Sequence, residues 1–334
     1  MDSDSYSERL DAYLDAYWIR RVELEIARRY HLDGESPMKC PTHLSVGAEH
    51  LAVAIARTMP PGTKAYSTHR SHSHYLAWGG DLRRMLAELY GKKTGCAGGW
   101  GGSMHLVDES VGFMGTSAIV GSSLSYAVGS ALAAKLEGSD RWTVAFVGDA
   151  VPETGQFWEA MNFSLLKKLN LLVVIEDNDL ATATPKYQRQ DTAMLDQLVP
   201  VIEEGAPYAD LIHIVGHILA LADEGEGVQV MRVPVERYFE HVGPGIDDWR
   251  DAPELWGEDD PVRMMGAGLL EPERTGMQAK IDALKPLSDI DVQIHAAFEQ
   301  AASDPWPDPL PPLFYGGRME GNKPKVQFPE NEGF

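Results

Sequence analysis

Two uninterrupted apolar runs, WTVAFVGD at 142–149 and NLLVVIEDND at 170–179, bracket the segment PETGQFWEAMNFSLLKKL, whose apolar residues recur at helical spacing. A strand with one face in water alternates polar and apolar residues. These two do not, so both of their faces must be covered. A helix between two such strands is a crossover, and a crossover joins strands that run in the same direction. The chain is thereby constrained to an α/β fold, a doubly wound and mostly parallel sheet with helices on both faces. A further run, VQVMRVPV at 228–235, supplies another strand.

The remaining segments arrange themselves around this unit. Residues 6 to about 30 carry apolar groups at helical spacing among mixed charges and predict an amphipathic arm. Helices are predicted through GAEHLAVAIARTM and DLRRMLAELYG, with PPGTKAYSTHRSHSHYLAWGG between them as a long loop. IVGSSLSYAVGSALAAK reads as a helix of small residues suited to close packing, and the chain beyond Pro261 as helix followed by a proline-rich tail. Three parts follow: a helical arm over 1–40, an α/β domain over 41–260, and a C-terminal helix and tail over 261–334.

Charge narrows the partners. With 29 basic and 50 acidic side chains the formal net charge is −21, which repels nucleic-acid backbones and anionic membranes. An anionic ligand therefore needs a local positive site. The N-terminus has neither the basic start nor the apolar stretch of a targeting signal, and the apolar runs are too short for a bilayer. Two cysteines give no disulfide framework and no zinc spacing, so a reducing cytoplasm is expected.

Ligands of open α/β sheets bind beyond the carboxyl ends of the strands, where Asp149 and Asn178 close the two apolar runs. A carboxylate and an amide on adjacent strand ends suit a hard cation such as Mg2+ carried with a phosphate. Capping of the next helix by Asp149 and a chain turn at Asn178 account for the same residues without a ligand. The segment STHRSHSH at 67–74 gathers His69, Arg70, His72 and His74, and by residue type fits a metal site, acid/base groups or an anion cradle. The run GKKTGCAGGWGGSMH suggests backbone close to a ligand. His213 and His217, four apart on a predicted helix, have metal-ligand spacing but are not expected to form a metal site.

The segment GDAVPETGQFWEAMNFSLLKKLNLLVVIEDNDLATATP resembles the thiamine diphosphate-binding motif, in the form found in alpha subunits of 2-oxo acid dehydrogenases of the pyruvate, acetoin and branched-chain type. HLSVGAE, STHRSHSHYLAWGGDLRRMLAELYGKKTGCAGGWGGSMH, GFMGTSAIVG and RYFEHVG resemble further blocks of that family in the same order, over about residues 40–245. The resemblance implies thiamine diphosphate and Mg2+ as cofactors, with Asp149, Asn178 and the main-chain oxygen of Leu180 on the metal. It places His43, His69 and Arg70 on the diphosphate and Gly148 and Ala150 beside it, with backbone near Ala118 and Val120 holding the aminopyrimidine. His72 and His241 fall on family histidines near the reacting carbon.

The implied activity is decarboxylation of a 2-oxo acid with transfer of the acyl unit, to a lipoyl domain or to a carbonyl acceptor. The family's activating glutamate belongs to a separate beta subunit, so the resemblance implies an α2β2 heterotetramer and a chain inactive alone. A carboligase or transketolase-like half enzyme of a biosynthetic pathway, or a non-catalytic stabilising subunit, are the alternatives. The chain departs from the pattern at several places: Ala150 stands for glycine, Asp177 for asparagine, Leu180 and His69 for tyrosines, and Trp100 for lysine. The loop EHVGPGIDD lacks the serines that regulatory kinases modify, so no such control is expected.

Overall fold

A computed structural model describes residues 3–30, 36–191, 208–223, 227–247, 249–251, 253–267, 269 and 277–308. Five parallel strands form the central sheet: β1 (Lys64–Ser67), β2 (Phe113–Thr116), β3 (Thr143–Gly148), β4 (Leu171–Asp177) and, after a short hairpin of β5 (Leu180–Ala181) and β6 (Thr184–Pro185), β7 (Gln229–Pro234). Their order across the sheet is β2-β1-β3-β4-β7. Helices are α1 (Ser3–Tyr30), α2 (Glu49–Thr58), α3 (His72–Ala77), α4 (Leu82–Leu89), α5 (Ser122–Leu136), α6 (Gly155–Lys167), α7 (Tyr208–Asp223), α8 (Pro261–Gly266) and α9 (Met277–Ser303).

The continuous apolar runs do cover both faces. Val144, Phe146, Leu172 and Val174 meet Leu51 and Ile55 of α2 and Leu211 and Val215 of α7. The alternate residues, Ala145, Val147, Leu171, Val173 and Ile175, meet Leu124 and Ala127 of α5 and Phe157 and Met161 of α6. Period-two alternation thus survives as a division between two cores, with β3 and β4 in perfect parallel register from Thr143 opposite Leu171 to Gly148 opposite Glu176.

The predicted arm, α1, joins a third core. Ala12, Ala16, Ile19, Val22 and Ile26 pack with Met85, Leu89 and Phe113, and with Ile294 and Phe298 of α9. Arg20 lies fully buried in this contact, its Nε 2.5 Å from Glu49 Oε1 and its Nη1 2.6 Å from Asp260 Oδ2, which ties α1 to α2 and to the start of α8.

The segment expected as one long loop is instead structured. It contains β1, a four-residue strand near the middle of the sheet, and α3, which begins within the histidine cluster. Strand β2, equally short, also went unpredicted. The proline-rich tail beyond residue 308 lies outside the described residues.

Candidate active site

Every strand of the parallel sheet delivers residues to one cavity of about 350 Å³ at the carboxyl edge. The end of β3 gives Gly148, Asp149 and Ala150; the end of β4 gives Glu176 and Asn178, with Leu180 beyond. The turn after β1 gives His69 and Arg70, the loop after β2 gives Ala118 and Val120, and the loop after β7 gives Arg237 and His241. His43, from the loop before α2, also lines the cavity.

On the acidic wall, the Asp149 carboxylate is 5% exposed. Burial raises its pKa, and the Arg189 guanidinium beside it works in the opposite direction. Arg189 contacts both Asp149 and Glu153, while Gln190 Nε2 donates to the Asp149 carbonyl at 3.1 Å. Buried in this way, the carboxylate is held with a cation, here the Arg189 guanidinium. Asn178 Oδ1 accepts from the Leu180 amide at 3.0 Å, an Asx turn assisted by Asp179 at φ 63°. Asp149, Asn178 and Leu180 therefore offer oxygen donors on one wall, the donor class that a magnesium ion takes, and their chemistry fits it.

Two departures from the sequence pattern lose their force here. Ala150 has φ −82°, so its methyl costs no backbone strain, and a Cβ on Gly148 would meet nothing within 4 Å. Asp177, the extra acid beside Asn178, is neutralised by Lys186 Nζ at 2.7 Å and flanked by Arg232 at 3.4 Å.

Imidazoles line the rest of the cavity beside two guanidinium groups, Arg70 and Arg237. Arg70 donates through Nη1 to Leu44 O at 2.6 Å and through Nη2 to His241 O at 3.0 Å, which pins the two loops together. Burial and then Arg237 pull its pKa down to about 10, so it stays charged at neutral pH. Burial followed by neighbouring positive groups pulls His43 down to about 2, His69 to about 4 and His241 to about 4.

His72 is placed elsewhere. It is fully buried and absent from the cavity wall, with Nδ1 2.6 Å from Glu23 Oε1 and Nε2 2.8 Å from Ser103 Oγ. Both ring nitrogens are thus spent, and the assignment of His72 to the reacting carbon is corrected to a supporting one: Ser103 Oγ accepts in turn from the His43 amide at 3.4 Å. His74, unassigned from sequence, stacks on Phe146 with centroids 3.8 Å apart and bridges Ser67 Oγ at 2.8 Å to Glu176 Oε1 at 3.1 Å.

The glycine-rich run also needs correction. Its amides do not face the cavity but converge on buried Glu88: Ala97 and Gly99 donate to Oε2 at 2.8 Å, and Gly101 and Gly102 to Oε1 at 2.7 and 3.0 Å. Met104 alone of this run lines the cavity, and Trp100 is 59% exposed. His213 and His217 lie on α7 beside Met231 of β7, and neither lines the cavity. Glu176 and Arg237 are cavity residues that sequence reasoning missed. Glu176 could have been found, since it stands two positions before Asn178 and so shares its side of the strand.

A family model described as the dehydrogenase E1 component matches residues 15–202. The alpha subunit of acetoin:2,6-dichlorophenolindophenol oxidoreductase from Cupriavidus necator is 31% identical over 308 residues, covering 90% of this chain and 91% of its own. The corresponding subunit from Bacillus subtilis is 29% identical over 309 residues, covering 89% and 90%. The somatic, mitochondrial alpha subunit of the pyruvate dehydrogenase E1 component from Homo sapiens is 28% identical over 309 residues, covering 88% of this chain and 75% of its own.

Proposed function

The chain belongs to the dehydrogenase E1 component family, as an alpha subunit of the thiamine diphosphate-dependent 2-oxo acid dehydrogenases, and from that premise we propose how its residues serve the reaction. The observation that carries the reading is one cavity lined both by oxygen donors (Asp149, Asn178, Leu180) and by basic groups (His43, His69, Arg70, His241). Asp149 and Asn178 side chains and the Leu180 carbonyl would hold Mg2+, and His43, His69 and Arg70 would hold the diphosphate. Thiamine diphosphate, when bound, supplies the carbanion chemistry that releases carbon dioxide from a 2-oxo acid. His241, neutral at working pH and half-buried, orients the substrate carboxylate by donating a hydrogen bond.

A beta subunit completes the site and brings the activating glutamate, in an α2β2 assembly. Supporting this, Ala118, Ile119 and Val120 leave the apolar rim of the cavity exposed, Ile119 at 71% and Val120 at 53%. The acyl unit passes to a lipoyl domain or to a carbonyl acceptor. Among the described residues no helix is long and apolar enough to cross a membrane. Calorimetry tests the reading: the complex should bind thiamine diphosphate only with magnesium present, and magnesium-independent or absent binding would remove its basis.

Arg189 yields a second expected result. Its guanidinium occupies the Asp149 carboxylate that magnesium would take, so loading requires its release. Arg189→Gln should tighten magnesium-dependent cofactor binding by about twofold to fivefold, the scale of one ion pair. Unchanged or weaker binding in the variant would mean that Arg189 does not compete with the metal.

A further inference from the structure

His43, His69 and His241 come from three separate loops, yet one ring nitrogen of each lies within 4.8 Å of the other two. Their rings are steeply inclined to one another, with centroids 4.7 Å apart for His43 and His69, 5.1 Å for His43 and His241, and 5.4 Å for His69 and His241. His43 Nδ1 is buried without any hydrogen-bond partner. Native proteins rarely leave such a group unsatisfied unless something binds it.

The chemistry of the cluster exceeds what an anion uses. Burial keeps all three imidazoles neutral at pH 7, and a neutral imidazole has one N–H and one lone pair. An oxyanion engages the N–H groups and leaves three lone pairs idle. Neutral imidazole lone pairs are the ligands of borderline divalent metals. We propose that His43, His69 and His241 form a binding site for a zinc-class divalent transition metal, with water in the fourth position of a tetrahedral set.

Zinc-to-nitrogen bonds of 2.0–2.1 Å place tetrahedral ligand nitrogens roughly 3.4 Å apart, so the rings must close by about 1.4 Å from their 4.8 Å limit. His69 and His241 are only half-buried and sit on loops, where side-chain rotation supplies that movement. Arg70 acts on all three rings and Arg237 on His241, both against a nearby cation, and Asp247 acts in the opposite direction at His241. The site divides ligands by hardness: imidazole nitrogens on one wall take a borderline metal, and carboxylate, amide and carbonyl oxygens on the other suit magnesium. Because His43 and His69 are also proposed to meet the diphosphate and His241 the substrate, occupancy by zinc and by the cofactor would exclude each other. The metal site itself does not depend on the cofactor assignment.

The test is titration of the full-length chain with zinc chloride in magnesium-free buffer, without thiamine diphosphate, alongside Co2+ as a spectroscopic probe. One equivalent should bind at micromolar affinity or tighter, and Co2+ should give the visible bands of a tetrahedral site. His69→Ala and His241→Ala should each weaken zinc binding by about tenfold or more. These positions carry the test because their exposure makes misfolding less of a concern than at buried His43. The double variant His213→Ala, His217→Ala should bind as the native chain does. The proposal fails if no zinc binds at about 100 µM, if both single variants bind normally, or if the His213 and His217 changes abolish binding.

Discussion

Asp149→Ala is expected to abolish magnesium-dependent binding of thiamine diphosphate while leaving the chain folded. Of the three proposed metal ligands only Asp149 brings a negative charge, since Asn178 offers an amide oxygen and Leu180 a carbonyl. Without it the protein offers the ion neutral oxygens only and leaves the diphosphate as its sole anionic partner. A loss of at least about a hundredfold in affinity is predicted, or roughly 2.7 kcal/mol. The fold should tolerate the change, because Arg189 keeps its contact with Glu153 and α6 keeps its own cap, the Thr154 hydroxyl accepting from Phe157 N. Circular dichroism should therefore match the native chain while calorimetry shows no binding. Native affinity in Asp149→Ala would place the metal elsewhere.

Glu88→Ala should produce the largest loss of stability. The carboxylate is 1% exposed and accepts four backbone N–H groups from the glycine-rich run. Removing it orphans all four donors at once, at a cost of about 3–5 kcal/mol on the scale of a broken buried charged network. Glu88→Gln keeps the shape but replaces one acceptor oxygen with an amide nitrogen, so it should fall between native and alanine. Denaturant unfolding measures the order. An alanine variant within about 1 kcal/mol of native would show that water replaces the carboxylate. The same contact explains why the run is rich in glycine. Gly99 and Gly102 adopt φ +83° and +65°, and a Cβ on Gly99 would lie 2.6 Å from Lys92 O.

What was legible in the sequence followed element length. β3 and β4, at six and seven residues, show as apolar runs, and with α6 between them they fix the parallel crossover and bring Asp149 and Asn178 to one edge. β1 and β2 have four residues each, too few for a period to register, so the strand that positions His69 and Arg70 read as loop. Motif position assigned His43, His69 and Arg70 to the diphosphate and His241 to the reacting carbon, four residues that line one cavity, but it could not report burial. That is why His72 was assigned to the reacting carbon although Glu23 and Ser103 hold both of its ring nitrogens. The glycine-rich run was legible as tightly folded backbone; its partner, Glu88, was not, because a buried carboxylate looks like any helix-surface glutamate in AELYG.

Carbon dioxide release from a panel of 2-oxo acids, by this chain co-purified with its beta subunit, tests the account most directly. The prediction is release from at least one 2-oxo acid, requiring both chains, thiamine diphosphate and magnesium, with neither chain active by itself. Release by this chain alone, or none from any 2-oxo acid by a complex that binds the cofactor, would contradict it.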